Sequence, residues 1–326
     1  MTRRKYLALT LAATGCRKDE RSSRAVRLTT ILGSPSLFVM QSLGFFKNEG
    51  ITARIEQIAS TGKIVQSLIG GSTDIAHSAL DQVIHLEAQS KRLKMFFTVN
   101  PLISARLYAA SGEKRSIRTV SDLKGGKVGI TSFGSSIDFQ LAALLHRHGM
   151  TINDVVRVAI GSLPSVFAAL EAGKVDAAGL NMQYGLTYER RHPNAAILMD
   201  LATREGARRT LGVDSYPWGL IAEPAWLNRN RDAARRIARA YKAYNRWIAE
   251  HTPQAIREAT PVEYRSSQIA VDLDYWTIMK QNLSLDGRMP DNAPKQVRDV
   301  LAVTLPAVRD VDISQTWTDE FVEESK

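Results

Sequence analysis

Leu68-Ile69-Gly70-Gly71-Ser72-Thr73-Asp74-Ile75-Ala76 recurs in pattern as Leu170-Glu171-Ala172-Gly173-Lys174-Val175-Asp176-Ala177-Ala178, and this repeat decides the fold. Both copies read L-x-x-G-x-x-D-x-A. A glycine at this position ends a helix by adopting a positive φ, and the apolar residues after the aspartate are typical of a short buried strand. Each copy therefore predicts a helix, a tight turn and a strand, and the chain contains two units built on one plan.

The likeness between the two halves extends upstream of the repeat. Strand-like runs at 26–31 and 127–131 each lead through a loop of small residues into a helix that stops at Gly50 or Gly149. Strands that alternate with helices predict parallel β-α-β units with helices on both faces of the sheet. Ligands of such sheets bind beyond the carboxyl ends of the strands. Spacing alone leaves one continuous sheet open as an alternative to two lobes.

The C-terminal part of the chain is mainly helical. Helical patterns at 232–251, 271–283 and 293–305 have no partner strands of their own. We expect them to cover the first lobe and to make it discontinuous. Lobe I then comprises residues 26–104 plus 220–326, and lobe II comprises residues 105–219, sizes that suit two domains.

The N-terminus predicts export. Arg3, Arg4 and Lys5 precede an apolar run, 6–15, that ends at Cys16. A run this short cannot cross ~30 Å of hydrocarbon, so residues 1–25 are expected to be a leader and tether, with the mature protein in the periplasm or on the outer face of a bacterial membrane. Cys16 stands where a lipoprotein signal carries its lipidated cysteine, although a chance cysteine in a cleaved leader remains open. The double arginine leaves the twin-arginine route open beside the general one.

Composition and motifs exclude several classes of function. Cys16 is the only cysteine of the 326 residues, so the body of the chain can hold neither a disulfide nor a cysteine-based catalytic or zinc site. No G-x-S-x-G, P-loop or H-E-x-x-H motif occurs, and we predict no enzyme, no cofactor and no metal. The net charge is +10, and the arginines concentrate only between Arg229 and Arg239. We interpret them as a solvated helix face and not as a nucleic-acid or membrane-surface site, which is the competing interpretation.

Four stretches in order carry a family resemblance: Leu43–Ile51 (LGFFKNEGI), Gly71–Ala76 (GSTDIA), Val120–Gly129 (VSDLKGGKVG) and Ala168–Ala177 (AALEAGKVDA). This set resembles the nitrate/sulfonate/taurine-type solute-binding proteins of ABC importers, a family that also includes binders of a thiamine pyrimidine precursor. The resemblance implies an α/β, type II periplasmic binding protein fold in which each of two lobes has a mainly parallel sheet flanked by helices. It implies crossing segments near 104–110 and 213–222, and as partners a small-molecule ligand and an ABC permease with its ATPase. We expect a monomer.

Small-residue loops from both halves are expected to meet in the cleft between the lobes. Helix N-termini carry partial positive charge and free N–H groups, which would favour an anion such as a sulfonate, taurine, nitrate or an aromatic acid. Aromatic residues near the strand ends would stack on an organic ligand. Helix capping and core packing account for the same residue types, so both interpretations stay open. The candidate ligand-binding residues are Ser34, Ser36, Thr61, Gly62, Ser78, Ser132, Phe133, Ser135, Ser136, Asn181, Tyr184, Tyr216 and Trp218.

An enzyme on the same scaffold is the principal alternative. Relatives of this fold include a desulfinase that requires a catalytic cysteine and an Arg-x-Gly-Gly motif, but Leu68 stands in the place of that arginine and the cysteine is missing. A secreted desulfinase- or lyase-like enzyme is therefore disfavoured. His77 and Arg106 are further residues that would line the cleft or serve the structure alone.

Overall fold

The computed structural model describes residues 25–112 and 116–323. The leader residues 1–24, with Cys16 and its expected lipidation, lie outside this range. Ten strands lie within it: β1 (Val26–Ile31), β2 (Ala53–Ile58), β3 (Ile75–Ala79), β4 (Lys94–Asn100), β5 (Ala105–Ala109), β6 (Lys127–Ile130), β7 (Val156–Ala159), β8 (Ala177–Asn181), β9 (Ile197–Asp200) and β10 (Trp218–Ala222).

These strands form two separate five-stranded sheets, in the orders β2-β1-β3-β10-β4 and β7-β6-β8-β5-β9. In the first sheet β1 is parallel to β2 and β3, whereas β10 is antiparallel to both of its neighbours. The second sheet repeats this arrangement with β6 and β5 in the corresponding positions. Each sheet is thus mainly parallel, and its one reversed strand is the strand that arrives from the other lobe. The prediction of two lobes is confirmed, and the alternative of one continuous sheet is wrong.

Helices cover both faces of the sheets. Their bounds are α1 (Ser36–Ser42), α2 (Phe45–Asn48), α3 (Thr61–Ile69), α4 (Leu80–Glu87), α5 (Ser136–Arg147), α6 (Leu163–Glu171), α7 (Met182–Arg191), α8 (Arg204–Leu211), α9 (Pro224–Arg229), α10 (Arg231–Glu250), α11 (Pro253–Ala259), α12 (Ile269–Gln281), α13 (Ala293–Leu301) and α14 (Glu320–Glu323). None of the helices in the described part of the chain has the length and apolarity needed to span a membrane.

The repeated aspartate makes equivalent hydrogen bonds in both lobes. Asp74 accepts a 2.9 Å hydrogen bond from the backbone N–H of Arg27, and Asp176 accepts one of 2.7 Å from the N–H of Lys127. The backbone N–H of each aspartate returns a bond to the carbonyl of the same partner. The glycines three residues earlier, Gly71 and Gly173, have φ of 69° and 60°, as the predicted turn requires. The repeat therefore fastens the third strand of each unit to the start of the first.

The C-terminal helices do more than cover the first lobe. Ile237, Tyr241 and Ile248 of α10 pack with Phe97 of β4 in the core of the first sheet, as expected. Helix α13 instead packs against α4 of the first lobe and α5 of the second. It lies where the two lobes meet, because its buried face is shared between them.

The two connections between the lobes run side by side, and the backbone N–H of Tyr216 donates a 2.8 Å hydrogen bond to the carbonyl of Pro101. Residues 101–104 join β4 to β5, and residues 201–217, which include α8, join β9 to β10. The observed connections overlap the predicted crossings at residue 104 and at 213–217, but nearly all of the rest of each predicted crossing belongs to a strand. Residues 105–109 and 218–222 instead form the strands β5 and β10. These strands are hydrogen-bonded to their neighbours in the sheets, and most of their apolar side chains are buried.

A candidate solute-binding cavity between the lobes

A cavity of about 120 Å³ lies between the two sheets, large enough for a small molecule. Both lobes and the first connection contribute to its wall. The lining residues are Ile31, Gly33, Ser34, Ser36, Thr61, His77, Val99, Asn100, Leu102, Ile103, Ser104, Ala105, Thr131, Ser135, Ser136, Ile137, Gln140, Leu163, Gly179, Leu180, Asn181, Met182, Trp218, Tyr275 and Met279.

Five helices begin at this cavity: α1, α3, α5, α6 and α7 each place their first residue in its wall. They do so because each follows the carboxyl end of a parallel strand, or the short loop after it. Side chains cap α3, α6 and α7, through Ser60, Ser162 and Asn181, whereas α1 and α5 have no side-chain cap. Their N-termini add partial positive charge to the cavity, each worth about 0.3–1 kcal/mol toward an anion at an exposed site.

Hydrogen bonds between the two lobes surround the cavity. Ser136 Oγ of α5 donates to Asp81 Oδ1 of α4 at 2.8 Å, and the Ser136 N–H donates to Thr61 Oγ1 at 3.3 Å. Gln82 Nε2 donates to the carbonyl of Gly134 at 3.1 Å, and Asn181 Nδ2 donates to the carbonyl of Leu32 at 3.3 Å. The lobes are therefore in contact around the cavity, as in a closed binding protein.

Asp81 is a fully buried carboxylate behind the cavity wall. Tyr216 donates its hydroxyl to Asp81 Oδ2 at 2.7 Å, in addition to the bond from Ser136. Burial raises the Asp81 pKa from 3.8 to about 6, even though these hydrogen bonds act in the opposite direction. Among the described residues no lysine or arginine pairs with Asp81. The site thus contains one negative charge near neutral pH with no cation beside it.

His77 lies in the cavity wall and is 1% exposed. Its ring nitrogens are hydrogen-bonded to the hydroxyls of Tyr241 and Thr30, the latter at 3.3 Å. Burial lowers the His77 pKa to about 3, so the ring is neutral at pH 7. Since no aspartate, glutamate, lysine or arginine of the described residues lines the cavity, its wall carries no formal charge.

Seven of the candidate residues come together in the wall. Asn181 both caps α7, through the N–H of Tyr184 at 3.2 Å, and faces the cavity, so the capping and lining interpretations hold together. Ser135 Oγ is buried without a hydrogen-bond partner among the described residues. The seven are Ser34, Ser36, Thr61, Ser135, Ser136, Asn181 and Trp218.

The structure places the other six candidates outside the wall. Gly62 lies in α3 close to Ser132, and Ser132 and Ser78 have buried hydroxyls behind the lining residues. Phe133 is 62% exposed and lies beneath the guanidinium of Arg157, 5.0 Å from the ring centre.

Tyr184, Tyr216 and Arg106 have other neighbours. Tyr184 lies in a surface groove beside Gly33 and Ser34, and Tyr216 is committed to Asp81. Arg106, which we had considered for anion binding, pairs with Glu189 at 2.8 Å and Asp200 at 3.0 Å inside lobe II.

Sequence reasoning overlooked several lining residues, including Asn100, Ser104, Gln140, Tyr275 and Met279. Gln140 lies one turn after Ser136 on α5, so helical spacing from a candidate residue would have found it. Tyr275 and Met279 share the same i, i+4 spacing on α12, but nothing in the sequence connects α12 with the cleft. Only the packing of the C-terminal helices brings that pair to the cavity.

The two lobes, their sheets and the cavity between them have the arrangement of the periplasmic binding protein fold. The NMT1/THI5-like family profile matches residues 34–255, more than half of the chain, and the chain belongs to that family. The resemblance recognised in the sequence is thereby confirmed. No protein of curated function matches the chain in sequence.

Solved structures of the same fold are similar over almost the whole chain. One from Bordetella bronchiseptica is 23% identical, with a TM-score of 0.83, and covers 92% of this chain and 96% of its own. The alkanesulfonate-binding protein SsuA of Xanthomonas axonopodis, bound to MOPS, is 16% identical (TM-score 0.72, 87% and 93% covered). The nitrate-binding protein NrtA of Synechocystis is 13% identical (0.70, 92% and 88%).

Proposed function

We propose that this protein is the extracytoplasmic receptor of an ABC importer, which closes its two lobes on one small organic solute and delivers it to a permease and its ATPase. The observation that carries this proposal is the cavity, because its wall is built jointly by both lobes. Family membership and the fold of the neighbours support the same class. On this proposal the protein is an exported monomer in the periplasm or on the outer face of a bacterial membrane, with residues 1–25 as leader and tether and Cys16 as a lipid attachment point.

The positions of the two connections explain how binding of a solute would close the lobes. Residues 101–104 and 212–217, the latter being the part of the second connection after α8, are short and adjacent, so rotation about them would open the cavity without disturbing either sheet. A solute that touches both lobes binds the closed form better than the open form and shifts the population toward it. A permease that recognises the closed form would then receive only loaded receptor.

The candidate solutes are sulfonate-, taurine- or nitrate-like compounds and aromatic acids. Two proteins of similar structure bind solutes of these classes: one is an alkanesulfonate-binding protein and one is a nitrate-binding protein. The helix N-termini at the cavity favour an anion, whereas the uncharged wall and the nearby Asp81 act against one. The apolar surface of Leu102, Ile103 and Met279 favours a solute with a carbon skeleton over bare nitrate.

The basic segment of α10 supports no competing nucleic-acid or membrane function. Arg231 pairs with Glu320, Arg236 with Asp232 at 2.9 Å, and Arg239 with Glu49 at 2.8 Å. These guanidinium groups are engaged with carboxylates along the helix, as expected of a solvated helix face.

A thermal-shift panel tests the proposal. It contains alkyl and aryl sulfonates, taurine, nitrate, aromatic carboxylates, their amides and thiamine pyrimidines. A solute present at about 100 times its Kd adds about 2.7 kcal/mol to the free energy of unfolding. The proposal predicts saturable stabilisation by at least one compound, which chromatography then recovers unchanged. Consumption of the compound over time would establish the enzyme alternative instead.

A further inference from the structure

Asp81 fixes the hydrogen-bond directions of two hydroxyls at the cavity, whereas the hydroxyl of Ser135, which lines the wall without a partner among the described residues, can still donate or accept. An ionised carboxylate can only accept hydrogen bonds. Both hydroxyls that contact it, Ser136 Oγ at 2.8 Å and Tyr216 OH at 2.7 Å, must therefore donate to it. Each hydroxyl has one proton, and that proton is now committed to Asp81.

The Ser136 hydroxyl can therefore only accept a hydrogen bond from a molecule in the cavity. It lines the cavity, and its oxygen retains lone pairs but no further proton to donate. A solute group that approaches this oxygen must bring its own N–H or O–H.

Gln140, one helical turn after Ser136 on α5, is a second polar side chain of this wall. Its side chain is fully buried, lines the cavity, and has no hydrogen-bond partner of good geometry for either amide atom among the described residues. The amide lies near the Tyr216 hydroxyl, whose oxygen can only accept, so the NH₂ end is the end that suits Tyr216. With one N–H directed at Tyr216, the carbonyl oxygen and the second N–H of Gln140 remain for a solute.

A solute group that has only acceptors can use the Ser135 hydroxyl and the uncapped end of α5, but it leaves the oxygens of Ser136 and Gln140 without a donor. A buried acceptor without a donor costs about 1–3 kcal/mol, whereas one helix N-terminus favours an anion by about 0.3–1 kcal/mol at an exposed site. No lysine or arginine of the described chain lines the cavity to change that balance. A carboxylate, sulfonate or nitrate placed here would set its lone pairs against those of Ser136 and Gln140.

We infer that the solute presents an N–H or O–H donor to Ser136 Oγ and Gln140 Oε1, as a primary amide, an amine or a hydroxyl compound does, and that such a solute binds this wall more tightly than the matching acceptor-only anion. The inference rests on the proposed receptor function and specifies its ligand. It also reverses the expectation of an anion for this part of the cavity, because the sequence does not reveal that Asp81 takes the protons of the wall.

Matched acid and amide pairs test the inference by isothermal titration calorimetry at pH 7.5: benzoate with benzamide, nicotinate with nicotinamide, and methanesulfonate with methanesulfonamide. We expect the amide of at least one pair to bind at least tenfold more tightly than its acid. Gln140→Met should weaken that amide about tenfold and leave the acid unchanged. Ser165→Ala, at an exposed position of α6, is the control and should keep the wild-type preference.

Asp81→Asn provides a second variant that changes hydrogen-bond direction and not shape. The asparagine NH₂ donates where the carboxylate accepted, so one of the two hydroxyl protons becomes free. The preference for the amide over the acid should then fall by about tenfold, with melting curves used to show that both variants are folded.

The outcomes separate the two proposals. An acid that binds as tightly as its amide, or a retained solute without any N–H or O–H group, overturns this inference and leaves the receptor function standing. If neither any pair member nor any retained solute binds, the receptor function fails and the inference fails with it.

Discussion

Ser136 of lobe II donates a 2.8 Å hydrogen bond to Asp81 of lobe I, and both side chains are buried where the lobes meet. On the proposed closing motion, opening of the lobes breaks this bond, so its free energy contributes to closure. Bonds to charged groups contribute about 1.5–3 kcal/mol. We expect Ser136→Ala to shift the protein toward the open form and to weaken binding of its solute by at least tenfold. Small-angle scattering would show a larger radius of gyration for the variant, and an unchanged radius would contradict the role.

The pH dependence of stability should reveal Asp81. Its pKa is raised to about 6 in the folded protein from an ordinary value of 3.8, so the folded state holds the proton more tightly than the unfolded chain. Wild type therefore gains stability relative to Asp81→Asn as the pH falls from about 6 to 4, by on the order of 3 kcal/mol. Urea unfolding of both proteins at pH 4 and pH 7 measures the difference. Parallel pH profiles would show that Asp81 has an ordinary pKa.

His77 should have the opposite effect. Its pKa is lowered to about 3, so below about pH 6.5 the unfolded chain binds the proton more tightly than the folded protein. Wild type should lose stability relative to His77→Gln as the pH falls from about 6.5 to 4, by a few kcal/mol. The exposed His146→Gln is the control for removing a histidine. A His77→Gln profile that matches wild type over this range would exclude a buried neutral ring.

The two repeated aspartates should be required for stability in both lobes. Asp176→Ala removes the acceptor of the Lys127 N–H and should destabilise the protein by about 1–2 kcal/mol. Asp74→Ala also removes the ion pair with Arg27, at 2.6 Å, and should cost at least as much. Chemical denaturation checks both, and a neutral effect in either lobe would contradict the shared function of the repeat.

Gly179 in β8 has no room for a side chain. A Cβ there would lie 1.9 Å from Ile137 Cγ1 at the cavity wall. Gly179→Ala should therefore destabilise the protein by about 1–3 kcal/mol and reduce solute affinity. Gly112→Ala, where a Cβ would meet nothing within 4 Å, is the matched control. Equal melting temperatures for the two variants would show that the wall can adjust.

Most of the fold can be predicted from the sequence because short local patterns specify its helices, turns and strands. The L-x-x-G-x-x-D-x-A repeat specifies a helix end, a turn and a strand within nine residues, so each unit can be recognised without knowing its neighbours. The predicted crossings, 104–110 and 213–222, extend too far along the chain, since the residues of β5 and β10 look like connecting strands in sequence but belong to the sheets. Their partners are remote in the chain, and no local pattern indicates them.

The cavity was accessible to sequence reasoning only where it follows strand ends. Ser36, Thr61 and Ser136 were found because they begin helices after parallel strands, which is a local rule. Tyr275 and Met279 were missed because their place depends on how α12 packs against the rest of the protein. The hydrogen-bond directions of the wall depend on Asp81, whose burial is a tertiary property.

Native mass spectrometry of the protein purified without refolding, before and after exposure to the solute panel, tests the central claim most directly. The account predicts one small organic molecule per chain, released intact on denaturation and held less firmly by Gly179→Ala than by wild type. A wild-type chain that carries no molecule and takes up none from the panel, or that releases a chemically altered one, would contradict it.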